Sequence, residues 1–165
     1  MQVAWIRGDI TCEDVDAIVN AANSFLLVGG GVDRAIHEAA GLDEMREACR
    51  LLGGCDVGDV KVTPGFNLPA KWVIHAVGPY WRGGTHGEPA LLASCYRRSL
   101  EEADKLQTQS VAFPSISTGI FGYPIEAACE TAVAAVTGAQ TNVSLVRFVV
   151  FDEANERAYR SRLSD

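Results

Sequence analysis

The chain is 165 residues long, 48% hydrophobic and 21% charged, with a formal net charge of -7. Its size and composition predict one ordinary globular domain over residues 1–165, burying about two-thirds of its unfolded surface. The acidic balance argues against non-specific attachment to nucleic acid, so any bound phosphate must be met by backbone amides and local groups. The five cysteines are odd in number and none has Cys-x-x-Cys spacing, which predicts reduced, mostly buried thiols rather than a zinc site or disulfide framework. Met1 to Trp5 show no signal-peptide pattern and no apolar run is long enough to span a bilayer, so the expectation is a soluble cytoplasmic protein without a membrane partner.

Val3 to Ile6 alternates weakly and predicts a first strand. Gly8-Asp9-Ile10-Thr11 follows as a turn in which Asp9 accepts hydrogen bonds. Val15 to Val19 reads as a buried strand. The chain then enters a loop through Asn20-Ala-Ala-Asn23, crosses Gly29-Gly-Gly31 and starts a helix. Val32, Ala35, Ile36, Ala39 and Ala40 form one apolar helical face, and Gly41 stands where a stop is expected. Asp33 lies in the first turn, with His37 four residues later on nearly the same face.

Leu42 to Leu52 predicts a second helix, ended by Gly53-Gly54. Val60 to Thr63 and Trp72 to Val77 are strands. His75, inside the stronger of the two, reads as a satisfied core histidine rather than a ligand. A loop runs from Gly78 to Gly87. Pro89 suits the first turn of a long helix reaching about Gln107. Ser110 to Phe113 is a short buried strand. The second glycine-rich loop follows it, Pro114-Ser-Ile-Ser-Thr-Gly-Ile-Phe-Gly-Tyr-Pro124, with Pro124 expected at the first helical position. The next helix closes at Gly138. A strand from Leu145 to Phe151 and a helix from about Glu153 to Leu163 complete the pattern.

Alternation of helices with continuously apolar strands predicts a sheet covered on both faces, a three-layer α/β/α domain. Ligands in such folds bind beyond the carboxyl ends of strands, where both glycine-rich loops would lie. Glycine-freed amides at a helix N-terminus attract anions, and the helix dipole adds to this. The Ser115–Gly122 loop lacks the Lys-Ser/Thr ending of a nucleotide P-loop and the Gly-x-Gly-x-x-Gly spacing of a dinucleotide fingerprint. Its successive amides and hydroxyls still suit a pyrophosphate. Phe121 is placed either against a sugar or base or as a plug beneath the loop.

Together, Asn20-Ala-Ala-Asn23, Gly29-Gly-Gly-Val-Asp33, Ala35-Ile-His37, His75-Ala-Val-Gly-Pro79 and Ser115-Ile-Ser-Thr-Gly-Ile-Phe-Gly-Tyr-Pro124 resemble the macrodomains. They look most like the MacroD-type branch, which includes bacterial O-acetyl-ADP-ribose deacetylases. The resemblance covers nearly the whole chain. It implies an α/β/α sandwich on a mixed sheet and a cleft for ADP-ribose. Asp9 and the Ile10 amide would meet adenine, and Phe151 would pack on it. The amides of Ser117, Thr118, Gly119, Ile120, Phe121 and Gly122 would hold the pyrophosphate, with Gly31 and Val32 closing from the other side. Asn20 would belong to the binding set. Asn23 and Asp33 would face the distal ribose. Val28 and Arg34 depart from the pattern, standing where many relatives carry a fourth glycine and where relatives often have glycine, respectively.

The expected activity is hydrolysis at that ribose, removing an acetyl ester or an ADP-ribosylated acidic side chain. Asp33 would act as general base or orient the water, and Asn23 would hold a hydroxyl. No Ser or Cys with a partnered base is evident, and no metal or cofactor is implied. ADP-ribose or O-acetyl-ADP-ribose, and ADP-ribosylated proteins, are the expected partners, and nucleic acid is disfavoured. The alternative is a non-catalytic reader of ADP-ribose.

Overall fold

A computed structural model gives the three-dimensional structure and describes residues 1–163. The strands are β1 (Gln2–Arg7), β2 (Ala17–Ala22), β3 (Val60–Pro64), β4 (Trp72–Val77), β5 (Ser110–Phe113) and β6 (Leu145–Val150). The helices are α1 (Gly31–Ala40), α2 (Leu42–Leu52), α3 (Glu88–Lys105), α4 (Ile125–Thr137) and α5 (Glu153–Arg162), and a 3-10 turn (Ile10–Cys12) follows β1. The strands form one sheet in the order β1-β6-β5-β2-β4-β3. Neighbours from β1 to β4 pair in parallel and only β3 is antiparallel, so the sheet is mixed.

Alternation along each strand divides the core into two layers. Ala17 and Val19 of β2 and Ile74 and Ala76 of β4 join the layer capped by α3, α4 and α5. Ile18 of β2 and Val73 and Val77 of β4 join the layer capped by α1 and α2, through Ile36, Met45 and Cys49. This is the expected three-layer sandwich. Parity also places Asn20 and His75 on the α1–α2 side, where they are opposite one another in the β2–β4 register.

Three boundaries differ from the sequence reading. β2 continues through Asn20 to Ala22, because its carbonyls and amides find the β4 ladder and its apolar run is not what ends pairing. Phe151 lies just beyond β6 and is 66% exposed, so it is a ledge at the sheet edge and not a strand residue. Pro124 caps α4 with an extended backbone (ψ 129°) instead of opening it, and the first helical residue is Ile125.

α3 begins with a buried carboxylate. Glu88 accepts hydrogen bonds from the amides of Arg82 (2.8 Å), Gly84 (2.8 Å) and His86 (2.5 Å), which folds the preceding loop over the helix N-terminus. Burial raises the Glu88 carboxyl, but the amides of Arg82, Gly84 and His86 and its own amide outweigh it and hold it down at about 2. A carboxyl lowered on folding stabilises the protein fully above its unfolded value, near 4.5, and loses that contribution as pH falls through about 2. Between pH 4.5 and 2 the melting temperature of the wild type should therefore fall more steeply than that of Glu88→Gln. Parallel melting curves across this window would mean that the loop does not depend on the ionised carboxylate.

Candidate functional site

All five parallel strands end at the same sheet edge, and a cleft lined by the loops that follow them opens there. The loops after β2 and β5, adjacent strands, form its two sides. On one side Gly30 caps α1 without a side-chain cap, so the first amides of the helix face the cleft unpartnered by the helix itself. On the other side the chain from Ser117 to Phe121 turns tightly, with Ser117 in the left-handed region (φ +68°). Ser117 Oγ is buried without a partner among the described residues. The two loops touch where Ile120, 85% exposed, approaches Gly30.

Behind the α1 side lies Asp33, 5% exposed. Its Oδ2 accepts from the Gly29 amide at 2.6 Å. Its Oδ1 accepts from Asn20 Nδ2 at 2.7 Å, with His37 Nε2 at 3.4 Å. Burial alone would raise this carboxyl, but His37, Asn20 and the Gly29 amide together hold it below the ordinary carboxylate range. Asp33 is thus ionised and fixed, and it is a weak proton acceptor at neutral pH. A carboxylate offers about four acceptor positions. With three engaged, one on Oδ2 is left for a water or hydroxyl in the cleft.

Asn23 also lines the cleft, and its side chain closes the following loop. Its Nδ2 donates to the Leu27 carbonyl at 2.7 Å, and its Oδ1 accepts from the amides of Phe25 and Leu27, each at 3.2 Å. The loop from residue 24 to 29 is consequently pinned at both ends, by Asn23 and by Asp33. Gly29 is confined between them, since a Cβ there would stand 3.2 Å from Asp33 Oδ2 and 3.6 Å from Asn23 Nδ2.

The structure brings together Asn23, Gly31, Val32, Asp33, the run from Ser117 to Phe121, and Phe151 around one cleft. Gly122 shapes the loop from outside the lining, donating to the Gly119 carbonyl. Asp9 and Ile10 also stand outside it, at the end of β1 beside the β6 end that carries Phe151. Asp9 Oδ1 accepts from the amide and hydroxyl of Thr11 (2.9 and 2.7 Å), and these bonds hold its carboxyl low. Ile10 is buried in the α1–α2 layer. Asn20 corrects the sequence reading: it is a fully buried strand residue that bonds Asp33 and His75 and does not line the cleft. Phe121 stacks on Tyr80, with centroids 3.8 Å apart, as one wall of the cleft. Arg34 turns outward to pair with Glu38, and neither it nor Val28 lines the cleft.

His75 is satisfied at both ring nitrogens, by Asn20 at 3.0 Å and by Thr63 Oγ1 at 2.9 Å. With His37 and Cys49 it forms a buried cluster whose potential ligand atoms lie within 4.8 Å of one another. Burial and the Asp33 charge push the Cys49 thiol up to about 11, and both His75 nitrogens are occupied, so the cluster is built for hydrogen bonding.

Four contributors escaped the sequence. Gly78 allows β4 to exit against the second loop, because a Cβ there would clash with Ser117 Oγ. Asn155 of α5 accepts from Ser115 Oγ (2.6 Å), which itself accepts from Thr118 Oγ1 (2.9 Å). Asp152 caps α5 and receives Asn155 Nδ2, so the helix N-terminus and the second loop are one network. An Asp three residues before an Asn at a helix start was the available signal. Tyr80 was hidden in a loop with no periodicity.

A family model described as Macro domain matches residues 19–132. A macro domain-containing protein of Chlorobaculum tepidum is 52% identical over 162 residues, covering 96% of this chain and 94% of its own. The solved structure of an Oceanobacillus iheyensis macrodomain with ADP has a TM-score of 0.92 at 42% identity, covering 96% of this chain and 88% of that one. A Trypanosoma brucei macrodomain in complex with ADP-ribose has a TM-score of 0.88 at 37% identity, covering 98% of this chain and 69% of that one. The chain belongs to the macro domain family.

Among the described residues no lysine or arginine lines the cleft, while Asp33 and Asp152 do. Anion binding there must rest on amide dipoles, which salt screens far less than exposed charge pairs. An ADP-ribose molecule held in this cleft would change its affinity by less than about threefold between 50 and 500 mM salt, as measured by calorimetry. A tenfold loss would assign the phosphates to cationic side chains. Gly119 separates fold from binding, because it lines the cleft and a Cβ there meets nothing within 4 Å. Gly119→Val should keep wild-type stability to within roughly 0.5 kcal/mol, yet would weaken an ADP-ribose held in this cleft by about tenfold. Unchanged affinity would place the ligand away from this loop.

Proposed function

We propose that this chain acts as one MacroD-type macrodomain that binds ADP-ribose in the cleft and hydrolyses a group from the distal ribose. The group is the acetyl ester of O-acetyl-ADP-ribose or an ADP-ribosylated carboxylate side chain of a protein. The observation that carries the reading is Asp33, an ionised, nearly buried carboxylate with one acceptor position left beside the anion-binding end of α1. The relatives solved with ADP and with ADP-ribose support the choice of ligand.

In this reading the diphosphate lies between the amides of Gly31 and Val32 and those of Ser117 to Phe121. Adenine extends over Phe151 toward Asp9 and the Ile10 amide. The distal ribose sits by Asn23, Asp33 and Phe121. Of the two roles open to Asp33, a lowered carboxyl supports orientation of the water over proton abstraction. A fixed acceptor holds the water on one trajectory, and misplacement by about 1 Å costs about a hundredfold. The proton released on attack then passes to the substrate's own phosphate or to solvent.

One observation favours a second reading, a reader without turnover: the hydrogen bonds of Asn23 and Asp33 already hold the loop from residue 24 to 29. The two readings part on wild-type protein incubated with O-acetyl-ADP-ribose and with ADP-ribosylated protein. Hydrolysis requires product release from at least one, whereas binding without product establishes the reader. Under the hydrolase reading, Asp33→Ala lowers kcat by about a hundredfold and ADP-ribose affinity by less than tenfold. It also costs roughly 1–3 kcal/mol of stability, because Asn20 and the Gly29 amide lose their acceptor. Wild-type kcat in a folded Asp33→Ala protein would remove Asp33 from the mechanism.

A further inference from the structure

We infer that His75 is a positioning residue for the Asp33 carboxylate, acting through Asn20 from the far side of β2. The inference rests on the hydrolase reading and adds to it a residue that does not touch the cleft.

The chain of contacts has one direction. The Asn20 amide nitrogen carries two hydrogens. One goes to Asp33 Oδ1 at 2.7 Å and the other to His75 Nδ1 at 3.0 Å. An ionised carboxylate only accepts, so Asp33 fixes which end of the Asn20 amide faces it. His75 Nδ1 must then be the bare nitrogen and Nε2 must carry the proton. That proton goes to Thr63 Oγ1 at 2.9 Å, and the Thr63 hydroxyl goes on to Met45 Sδ at 3.3 Å. Every atom in this chain is buried: Asn20 and His75 are fully enclosed and Thr63 is 3% exposed. Burial, helped by the neighbouring His37, lowers the imidazole to about 4, which keeps it in the neutral form that the geometry requires.

The arrangement is not what packing alone would select. Asn20 Oδ1 is left buried without a partner among the described residues, a cost that an apolar residue at this position would avoid. What the polar chain achieves is angular restraint. Without an acceptor at His75 Nδ1, the Asn20 amide would hold one bond and rotate about it. Asp33 Oδ1 would follow, and with it the acceptor that faces the cleft. The parallel β2–β4 register makes this coupling rigid, because Asn20 and His75 are paired residues.

Three variants and one resonance test it. His75→Phe keeps the ring volume and removes the acceptor. His75→Asn restores an acceptor near Nδ1 but packs poorly. Thr63→Val removes the acceptor of the His75 Nε2 proton. Expected are a kcat loss of about tenfold or more in His75→Phe, with KM and ADP-ribose affinity within about threefold, and substantial recovery of kcat in His75→Asn despite its lower melting temperature. Thr63→Val should lie between wild type and His75→Phe. Wild-type kcat in His75→Phe, or kcat that simply follows melting temperature across the set, overturns the inference. Nitrogen NMR of the wild type must show bare Nδ1 and protonated Nε2, and the opposite tautomer overturns it even if His75→Phe fails to fold. If the wild type binds ADP-ribose without turnover, the hydrolase reading fails separately. The Asp33 carboxyl carbon resonance then decides whether His75 positions it: a shift in His75→Phe reversed in His75→Asn supports positioning, and an unmoved resonance rejects it.

Discussion

The bond from the Gly29 amide to Asp33 Oδ2 is the constraint on which the site depends. It closes the chain between the end of β2 and the first turn of α1, across the glycines that must be free to approach a ligand. Glycine has the largest conformational freedom to lose on ordering, so a glycine loop needs an anchor to be a preformed cradle. Asp33 is that anchor, and Asn23 supplies the second by holding the Leu27 amide and carbonyl. Buried carboxylates are stable only when their lone pairs are met. Asn20 and His37 meet the other oxygen, and the strand register sets Asn20 where it can do so.

The electrostatics follow from this economy. A protein of net charge -7 has a cleft at its strand ends that no lysine or arginine lines among the described residues. Helix N-terminus, tight turns and oriented amides supply partial positive charge that needs no mobile side chain. Such dipoles are already oriented before a ligand arrives, which reduces the reorganisation that binding requires. Glu88 repeats the device elsewhere: a buried carboxylate collects backbone amides and orders the loop that leads to Tyr80 and Trp81. The Trp81 amide bonds the Phe121 carbonyl at 2.8 Å, so this ordering reaches the second loop.

Much of the architecture was legible in the residues. Apolar runs of strand length, helices with one apolar face, and glycines at their ends are local consequences of side-chain period and backbone freedom. They placed eleven elements near their observed bounds and put both glycine-rich loops after strands. Asp33 in the first turn of a helix, with His37 one turn on, was equally local, since a helix fixes the direction of both side chains. The combined motifs were specific enough to indicate the macrodomain family.

What local pattern does not contain is the pairing of strands distant in sequence. Asn20 read as a loop residue facing a ligand because its own neighbourhood ends an apolar run. Only the β2–β4 register shows that it continues the strand and faces His75, 55 residues away. The same holds for Gly78, whose missing Cβ matters only because Ser117 crosses there, and for Asn155, which reaches Ser115 from the last helix. Composition and periodicity determined that there would be a sheet, two covered faces and two amide-rich loops at strand ends. Tertiary structure decided which polar side chains are buried against each other, because hydrogen-bond partners across a sheet are chosen by register and packing, and neither is a property of adjacent residues.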